Sequence, residues 1–172
     1  MTAQPQRRPM NPFARLVERF AYTKVGTWLI LNVTSRIDPF LSRKTGGRVT
    51  IGALVGLPLA LLTTTGAKTG LERTVALLFF RDGDNVILIA SNGGMERHPG
   101  WYFNLRAHPQ ARIFIHSTSE TYHAHEAEGE ERVRLWAQAN AVYVGYEAYQ
   151  QRVPDRRIPV MVLTPTRAAV EG

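Results

Sequence analysis

Three short apolar segments separated by two glycine-containing turns constrain the fold of this chain more than any other feature. The segments cover residues 58–65, 73–81 and 86–90, and apolar residues fill them almost without interruption, as is typical of strands buried on both faces. Asp82 and Gly83, between the second and third segments, form a dipeptide that favours a β-hairpin turn. The sequence therefore predicts a small β-core that contains a hairpin.

The sequence after this core predicts further strands and two helices. A short aromatic helix is expected over residues 99–107, strands over 111–116 and 122–126, a longer helix over 130–143 and a closing strand over 158–163. The longer helix is expected to carry Val133, Trp136 and Ala137 on one side. With 172 residues and no internal repeat, the chain is expected to form one folded domain, residues 49–172, behind an N-terminal arm, residues 1–48.

The N-terminal arm holds the whole basic excess of the chain. It carries nine Lys or Arg residues against Glu18 and Asp38, which accounts for the net charge of +7, and bases and acids cancel in the remaining residues. Asn11 and Pro12 favour the start of a helix. The apolar residues that follow recur at helical spacing, namely Phe13, Leu16, Val17 and Phe20. The arm is therefore expected to contain a basic amphipathic helix.

Two interpretations of this helix are open. In the first, residues 11–33 associate peripherally with an anionic membrane surface; in the second, the apolar stripe packs on the β-core and the charges face solvent. The apolar segment 28–33 is too short to cross a bilayer, so we expect a cytoplasmic protein, either free or on the inner face of the cell membrane. No recognition motif accompanies the charge, so no nucleic acid partner is expected.

Residue types that the chain lacks exclude several kinds of chemistry. There is no cysteine, which excludes disulfides, thiolate metal sites and cysteine nucleophiles. His123 and His125 share one strand face without a third ligand at a suitable spacing, so no metal site is expected. A Gly-x-Ser-x-Gly motif is absent, which leaves covalent hydrolysis without support.

Two turns beside the apolar segments carry groups suited to an anionic ligand. Lys68 lies in a glycine-bounded turn, residues 66–70, and Arg73 follows it, so both side chains are available for charge-assisted bonds to phosphate. The second turn, residues 91–94, presents backbone N–H groups that small side chains leave accessible, in Ser91, Asn92, Gly93 and Gly94. Ordinary solvent-exposed turns are the open alternative.

Several blocks of sequence, in order, resemble the deazaflavin-dependent nitroreductase and quinone reductase family of actinobacteria. The blocks are TTTGAKTG with the following Arg73, ASNGG, HPGWYFNL, VYVGYEAYQ and RRIPVMVLTP, and they span roughly residues 55–165. The resemblance implies a mainly β fold with flanking helices, the split β-barrel of FMN-binding, pyridoxamine-phosphate-oxidase-like proteins. It also implies the cofactor coenzyme F420, an 8-hydroxy-5-deazaflavin with a phosphate and an oligoglutamate tail.

The resemblance further implies where this cofactor binds. Lys68 and Arg73 would hold its phosphate and the nearby acidic tail, and residues 91–94 would seat the deazaflavin ring. Gly100 and Trp101 would border the cofactor, although core packing is an alternative for Trp101.

Two positions depart from the family pattern. The family often has an arginine at the position of Ala67 and a lysine at that of Asn92. Either the phosphate is held less strongly in this chain, or bases of the N-terminal arm such as Arg48 replace the missing contacts.

Three tyrosines recur at Tyr143, Tyr146 and Tyr149, and on one helix this spacing would place them roughly along one side. The resemblance implies that they line the substrate pocket together with Ser91. Tyr146 would then be the catalytic tyrosine that hydrogen-bonds the acceptor, with Tyr143 and Tyr149 as walls. A buried aromatic stripe is the alternative explanation of the same spacing.

The predicted activity is hydride transfer from reduced F420 to quinones, with nitroaromatics as incidental substrates. Two alternatives stay open: reduction of activated carbon–carbon double bonds in lipids or polycyclic compounds, and a non-catalytic protein that carries the deazaflavin. Related split barrels also bind flavin mononucleotide or haem, which are further alternatives for the cofactor.

Overall fold

The computed structural model describes residues 58–115 and 117–166 of the chain. This part contains six strands, three α-helices and one short 3-10 turn, Asn92–Gly94. The strands are β1 (Leu59–Thr65), β2 (Glu72–Asp82), β3 (Asn85–Ile89), β4 (Gln110–Ile115), β5 (Thr118–Glu126) and β6 (Val160–Pro165). The helices are α1 (Gly100–Ala107), α2 (Gly129–Val142) and α3 (Gly145–Arg152).

The six strands close into one barrel, in the order β1, β2, β3, β6, β5, β4. Every neighbouring pair is antiparallel, and β4 closes the barrel against β1. At the predicted hairpin Asp82 pairs with Asn85, and Gly83 has a φ of 61°, which glycine adopts without strain. The predicted split β-barrel with flanking helices is therefore confirmed.

Strand β3 is buried on both faces, which explains its uninterrupted apolar sequence. Val86 and Leu88 belong to the cluster that fills the barrel, whereas Ile87 and Ile89 belong to an outer cluster under α2 and α3. Strand β6 contributes to both clusters in the same alternating way, with Met161 and Leu163 inside and Val160 and Val162 outside. Each such side chain contributes about 1.5–3 kcal/mol when fully buried, so these two strands anchor the helices to the barrel.

The long connections all leave the barrel at one end, which we call the loop end. Because neighbouring strands are antiparallel, β1, β3 and β5 finish there, and β2, β4 and β6 begin there. The connections at the loop end are residues 66–71, residues 90–109 with α1, and residues 127–159 with α2 and α3. The opposite end has the short β2–β3 and β4–β5 hairpins. All the predicted site residues therefore lie at or beside the loop end.

The buried face of α2 differs from the predicted one. Val133 is 70% exposed and Ala137 is exposed, whereas the buried residues are Arg132, Leu135 and Ala139. The prediction failed because a long arginine stem can be buried like an apolar side chain. The Arg132 guanidinium lies 5.4 Å from the centre of the Trp136 ring, and Trp136 itself is only partly buried.

The boundaries of other elements also differ from the predicted ones. Strand β5 begins at Thr118, four residues before the expected start, and β6 begins at Val160, two residues after it. Helix α3 was not predicted as a separate element. Its presence means that α2 ends at Val142, before the tyrosine series begins.

The predictions for the N-terminal arm lie outside the described residues. They are the amphipathic helix from Pro12, the apolar segment 28–33 and the boundary at residue 48. Within residues 58–115 and 117–166, no helix is long and apolar enough to cross a membrane.

Candidate functional site

The 66–70 turn and the start of β2 present one cation each at the loop end, Lys68 and Arg73. The turn is closed by hydrogen bonds from Gly66 N to Leu71 O at 2.9 Å and from Gly70 N to Gly66 O at 2.8 Å. Lys68 and Arg73 are exposed, and neither side chain forms an ion pair or hydrogen bond with another residue in the described part of the chain. These two charges are therefore available to an anionic ligand.

Nearby acidic charge does not compensate these cations. Glu72 lies between them in sequence, but its carboxylate pairs with Arg112 of β4, with Nη2 and Oε1 2.8 Å apart. Arg112 therefore already matches the one acidic residue adjacent to Arg73. The arrangement fits the phosphate and acidic tail of F420, because charge-assisted bonds to such oxygens are the strongest class of hydrogen bond.

Asn104 of α1 fixes the backbone beneath these cations. Its Nδ2 donates to Oγ1 of Thr64 at 3.0 Å, and its Oδ1 accepts from the backbone N of Ala67 at 3.0 Å. The Thr64 hydroxyl in turn donates to the carbonyl oxygen of Arg73 at 3.4 Å. These hydrogen bonds join the turn to α1 as well as to β1, so the backbone that carries the cations is held in place.

The 91–94 turn is compact and partly satisfies its own amide groups. Gly94 N donates to Ser91 O at 3.0 Å, and Met95 N donates to Asn92 O at 3.2 Å. Asn92, Gly93 and Gly94 all have positive φ angles, of 49°, 64° and 73°, which asparagine and glycine tolerate better than other residues. The N–H groups of Gly94 and Met95 are therefore not free for a ligand, contrary to the simplest expectation from the glycine pair.

Close packing against α3 also favours glycine at position 94. A Cβ atom there would lie 3.1 Å from Cα of Tyr149 and 3.2 Å from its carbonyl oxygen. The close approach of α3 to the 91–94 turn brings the tyrosine region and the predicted ring-binding turn into direct contact.

Arg156 is a residue of this site that the sequence reasoning missed. Its guanidinium donates to the carbonyl oxygen of Ser91 at 2.7 Å and to that of Ala90 at 3.3 Å. The only sequence signal was its position inside the RRIPVMVLTP block, which says nothing about its partners.

The three tyrosines do not share one helix, although their spacing would suit one. Tyr143 follows the end of α2 with an extended backbone, φ −145° and ψ 104°, and Tyr146 and Tyr149 lie on α3. The aromatic rings nevertheless form a cluster, with centroids 5.2 Å apart for Tyr143 and Tyr146 and 6.1 Å apart for Tyr143 and Tyr149. The hydroxyl oxygens of Tyr143 and Tyr149 are 3.0 Å apart. We call these three residues the tyrosine cluster.

Tyr146 is the most buried member of the tyrosine cluster. It is 5% exposed and belongs to the outer hydrophobic cluster with Leu135 and Val160. Among the described residues, the Tyr146 hydroxyl has no hydrogen-bond partner. Burial first, and the neighbouring Tyr149 second, raise the pKa of Tyr146 well above its ordinary value, so the phenol stays protonated near neutral pH.

Helix α1 contributes buried aromatic rings and one open position. Trp101 and Tyr102 are buried in the cluster that fills the barrel, and the Tyr102 hydroxyl donates to Oε2 of Glu126 at 2.8 Å. In the described part of the chain, a Cβ at Gly100, the first residue of α1, would meet no atom within 4 Å beyond its chain neighbours and its own helix backbone. Open space beside the Gly100 backbone fits a border of the cofactor site, whereas the Trp101 side chain packs in the core.

The histidines of the described segments do not assemble a metal site. No group of three His, Cys, Asp or Glu residues that could hold a metal ion occurs among them. His125 instead pairs with Glu131, with Nε2 and Oε2 3.1 Å apart.

A closed split β-barrel with an exposed basic turn and a glycine turn at one end defines a cofactor-binding barrel. The family model described as F420H(2)-dependent quinone reductase matches residues 34–165 of the chain. The chain belongs to this family. It is therefore an oxidoreductase whose cofactor is F420.

Individual relatives agree with this family. An F420H(2)-dependent quinone reductase of Mycobacterium tuberculosis strain H37Rv is 36% identical over 154 residues, which covers 86% of this chain and 97% of that protein. A solved F420-H2 dependent reductase, FDR-A, is 39% identical with a TM-score of 0.57, covering 62% of this chain and 93% of that one. A second solved structure, a domain-swapped dimer, is 34% identical with a TM-score of 0.61, covering 76% and 96%.

Proposed function

We propose that the loop end binds F420 through Lys68 and Arg73 and presents its reduced ring to a quinone. The observation that carries this proposal is the pair of exposed cations without a described partner, Lys68 on the turn that Asn104 holds against α1 and Arg73 at the start of β2. Because the backbone of this turn is already held in place, little backbone freedom is lost when a phosphate binds, which favours affinity.

When bound, reduced F420 supplies a hydride from a ring in which carbon replaces the flavin N5 atom. The protein therefore has to orient the ring and the acceptor and to exclude water. We assign the anionic end of F420 to Lys68 and Arg73, the ring to residues 91–94, and the adjoining border to the backbone at Gly100 and Trp101. Ala67 and Asn92 supply no cation, so Arg73 carries more of the phosphate binding than in relatives with those bases.

Exposed apolar side chains at the loop end support an apolar acceptor. Large hydrophobic residues are exposed on all three connections there, namely Leu71, Met95, Phe103, Val133 and Val144. A surface patch formed by such residues is typical of a site for an apolar ligand. A quinone is flat and apolar with two polar oxygens, and nitroaromatics have the same character, so we propose them as incidental substrates.

The tyrosine cluster is proposed as the wall of the acceptor site, with Ser91 beside it. Tyr146 would donate a hydrogen bond to an acceptor oxygen, because its hydroxyl has no described partner and its raised pKa keeps it protonated. The same raised pKa makes it a weak acid, so the proton that completes reduction after hydride transfer would come from water. Tyr143 and Tyr149 would limit the width of the site.

The decisive experiment compares two ligands with one set of variants. F420 and its deazaflavin fragment without phosphate and tail are titrated by fluorescence into the wild type, Arg73→Ala, Lys68→Ala and the control Arg134→Ala. Arg134 pairs with Asp82 near the opposite end of the barrel, 2.7 Å apart. Arg73→Ala should weaken F420 binding by about 1.5–3 kcal/mol and leave the fragment unaffected.

Two results would contradict this assignment. Equal weakening of both ligands by Arg73→Ala would mean that the arginine supports the fold or the ring rather than the phosphate. If the wild type binds flavin mononucleotide more tightly than F420, the assignment of the loop end as a deazaflavin site is contradicted.

A further inference from the structure

Arg156 joins three segments of the chain at the loop end. Its Nη2 donates to the carbonyl oxygen of Ser91 at 2.7 Å, and its Nη1 donates to that of Ala90 at 3.3 Å. Nη1 also lies 2.9 Å from Nδ1 of His98. Because an arginine N–H can only donate, Nδ1 of His98 is the acceptor, and the neutral imidazole carries its proton on Nε2.

The segment that presents Arg156 is itself fixed. The side-chain amide of Gln150 donates to the carbonyl oxygens of Val153 at 3.1 Å and Arg156 at 2.9 Å. Its Oε1 accepts from the backbone N of Ile158 at 2.9 Å. The guanidinium therefore extends from an ordered loop, and burial lowers its pKa from a value so high that it remains charged at neutral pH.

We propose that Arg156 is a positioning residue for F420, because it holds the 91–94 turn in the orientation that seats the deazaflavin ring. This inference rests on the proposed function, in which that turn binds the ring. The remaining contacts of the turn fix its later residues: Asn92 Nδ2 donates to Arg97 O at 2.9 Å, and Gly94 packs on Tyr149. The carbonyl of its first residue, Ser91, accepts from Gly94 N within the turn, and among the described residues Arg156 is the side chain that holds this carbonyl from outside the turn.

The chemistry of the contact requires arginine. Two carbonyl oxygens and one imidazole nitrogen are reached by two nitrogens of one planar group. A lysine ammonium is a single point donor on a flexible stem, so it cannot match both nitrogens of the fork. Lysine at this position should therefore restore only part of the effect.

The imidazole acceptor makes this support dependent on pH. Burial first, and the charge of Arg156 second, lower the pKa of His98 below its ordinary value of 6.5. Protonation of His98 would remove the acceptor and bring two cations into contact. The other groups that face or pack against this ring are Glu126 on β5 and Arg106, Tyr102 and Phe103 on α1.

The direction of the pH effect follows from the lowered pKa. Because the intact arrangement disfavours protonated His98, its full contribution is present above pH 6.5 and declines as the pH falls through the lowered pKa. Affinity for F420 should decline over the same range.

The first test measures F420 affinity in Arg156→Met, Arg156→Lys and the matched control Arg157→Met, whose side chain is exposed. Arg156→Met should raise the Kd for F420 by about tenfold, since hydrogen bonds from a charged group are lost. Arg156→Lys should raise it less, and Arg157→Met should stay within about twofold of the wild type. The KM for menadione at saturating F420H2 should change by less than about twofold in all three, because the acceptor wall is left in place.

Two outcomes overturn the inference. One is a Kd in Arg156→Met no higher than in Arg157→Met. The other is a KM for menadione that rises in the same proportion as the Kd, which would indicate general loosening of the fold. Arg73→Ala, measured alongside, reports on the proposed function: if it weakens F420 binding while Arg156→Met does not, only the positioning role fails.

A second test does not need Arg156→Met to fold. His98→Asn retains an acceptor near the position of Nδ1 and cannot titrate. The F420 affinity of the wild type, divided by that of His98→Asn, should fall by about threefold or more as His98 becomes protonated, which the imidazole NMR signals of the wild type report over the same pH series. A ratio that stays constant while His98 is protonated would show that the imidazole does not support the site and would contradict the proposed arrangement.

Discussion

Replacing Gly145 by alanine is expected to disturb the tyrosine cluster and to destabilise the protein. A Cβ atom at this position would lie 2.5 Å from Cζ and 2.7 Å from the hydroxyl oxygen of Tyr143, closer than the 3.0 Å below which neighbouring atoms must shift. The ring cannot move freely, because its hydroxyl is 3.0 Å from that of Tyr149 and its edge meets the Tyr146 ring, with centroids 5.2 Å apart.

The size of the effect can be worked out from these contacts. Forcing extra volume into a packed site costs about 1–3 kcal/mol, and losing the bond between the two phenols costs about 1 kcal/mol. The better helix propensity of alanine offsets at most about 1 kcal/mol. We therefore expect a net loss of about 2 kcal/mol, which lowers the Tm of a chain of this size by about 4–8 °C.

Gly100→Ala is the matched control for this measurement. Gly100 and Gly145 are each the first residue of an eight-residue helix, but a Cβ at Gly100 would meet nothing within 4 Å. Thermal unfolding should give Gly100→Ala an unchanged or slightly raised Tm. If Gly145→Ala unfolds at the same temperature as Gly100→Ala, the ring of Tyr143 does not require glycine beneath it and the reasoning is refuted.

Three further predictions concern the turn, the acceptor side and the N-terminal arm. Asn104→Ala should cost about 1–3 kcal/mol of stability and weaken F420 binding, because two hydrogen bonds that hold the 66–70 turn are lost. Chemical denaturation measures the stability, and an F420 titration measures the affinity. An unchanged affinity would mean that the 66–70 turn is not part of the F420 site. Tyr146→Phe should lower kcat/KM for quinones far more than F420 affinity and leave stability unchanged or higher, since the hydroxyl has no partner among the described residues. An unchanged kcat/KM would assign the residue to the core. The full chain should sediment with anionic vesicles at low salt and be released at high salt, because each base near the membrane surface contributes on the order of 1 kcal/mol. Deletion of residues 1–24 should abolish sedimentation. Absence of sedimentation of the full chain at low ionic strength would favour packing of the predicted N-terminal helix on the barrel.

The features that could be predicted from the sequence are those with a local physical cause. The Asp82-Gly83 turn follows from the positive φ that glycine tolerates at residue 83. The continuous apolar residues of β3 follow from burial on both faces. Lys68 is exposed in a short connection between two antiparallel strands, and such connections usually run over the protein surface.

The features that could not be predicted depend on residues far apart in the chain. Arg156 meets Ser91 across 65 positions, and Asn104 meets Ala67 across 37, so no spacing within either segment indicates the contact. The end of α2 was predicted to within one residue, but α3 was not predicted, because its eight residues include few apolar positions that repeat at helical spacing. The reason for glycine at position 145 is the Tyr143 ring that lies against it, and this contact is known only from the structure.

Quinone-dependent oxidation of F420H2 tests the proposed role of the loop end most directly. F420H2 is mixed with menadione and the wild type, Lys68→Ala/Arg73→Ala or Arg134→Ala, and cofactor absorbance and hydroquinone are followed together. We expect one hydroquinone per F420H2 oxidised, with the double variant requiring at least about tenfold more cofactor to reach the wild-type rate and Arg134→Ala matching the wild type. Absence of menadione-dependent oxidation, or a double variant with wild-type cofactor dependence, would contradict the assignment of this end of the barrel as an F420-dependent quinone reductase site.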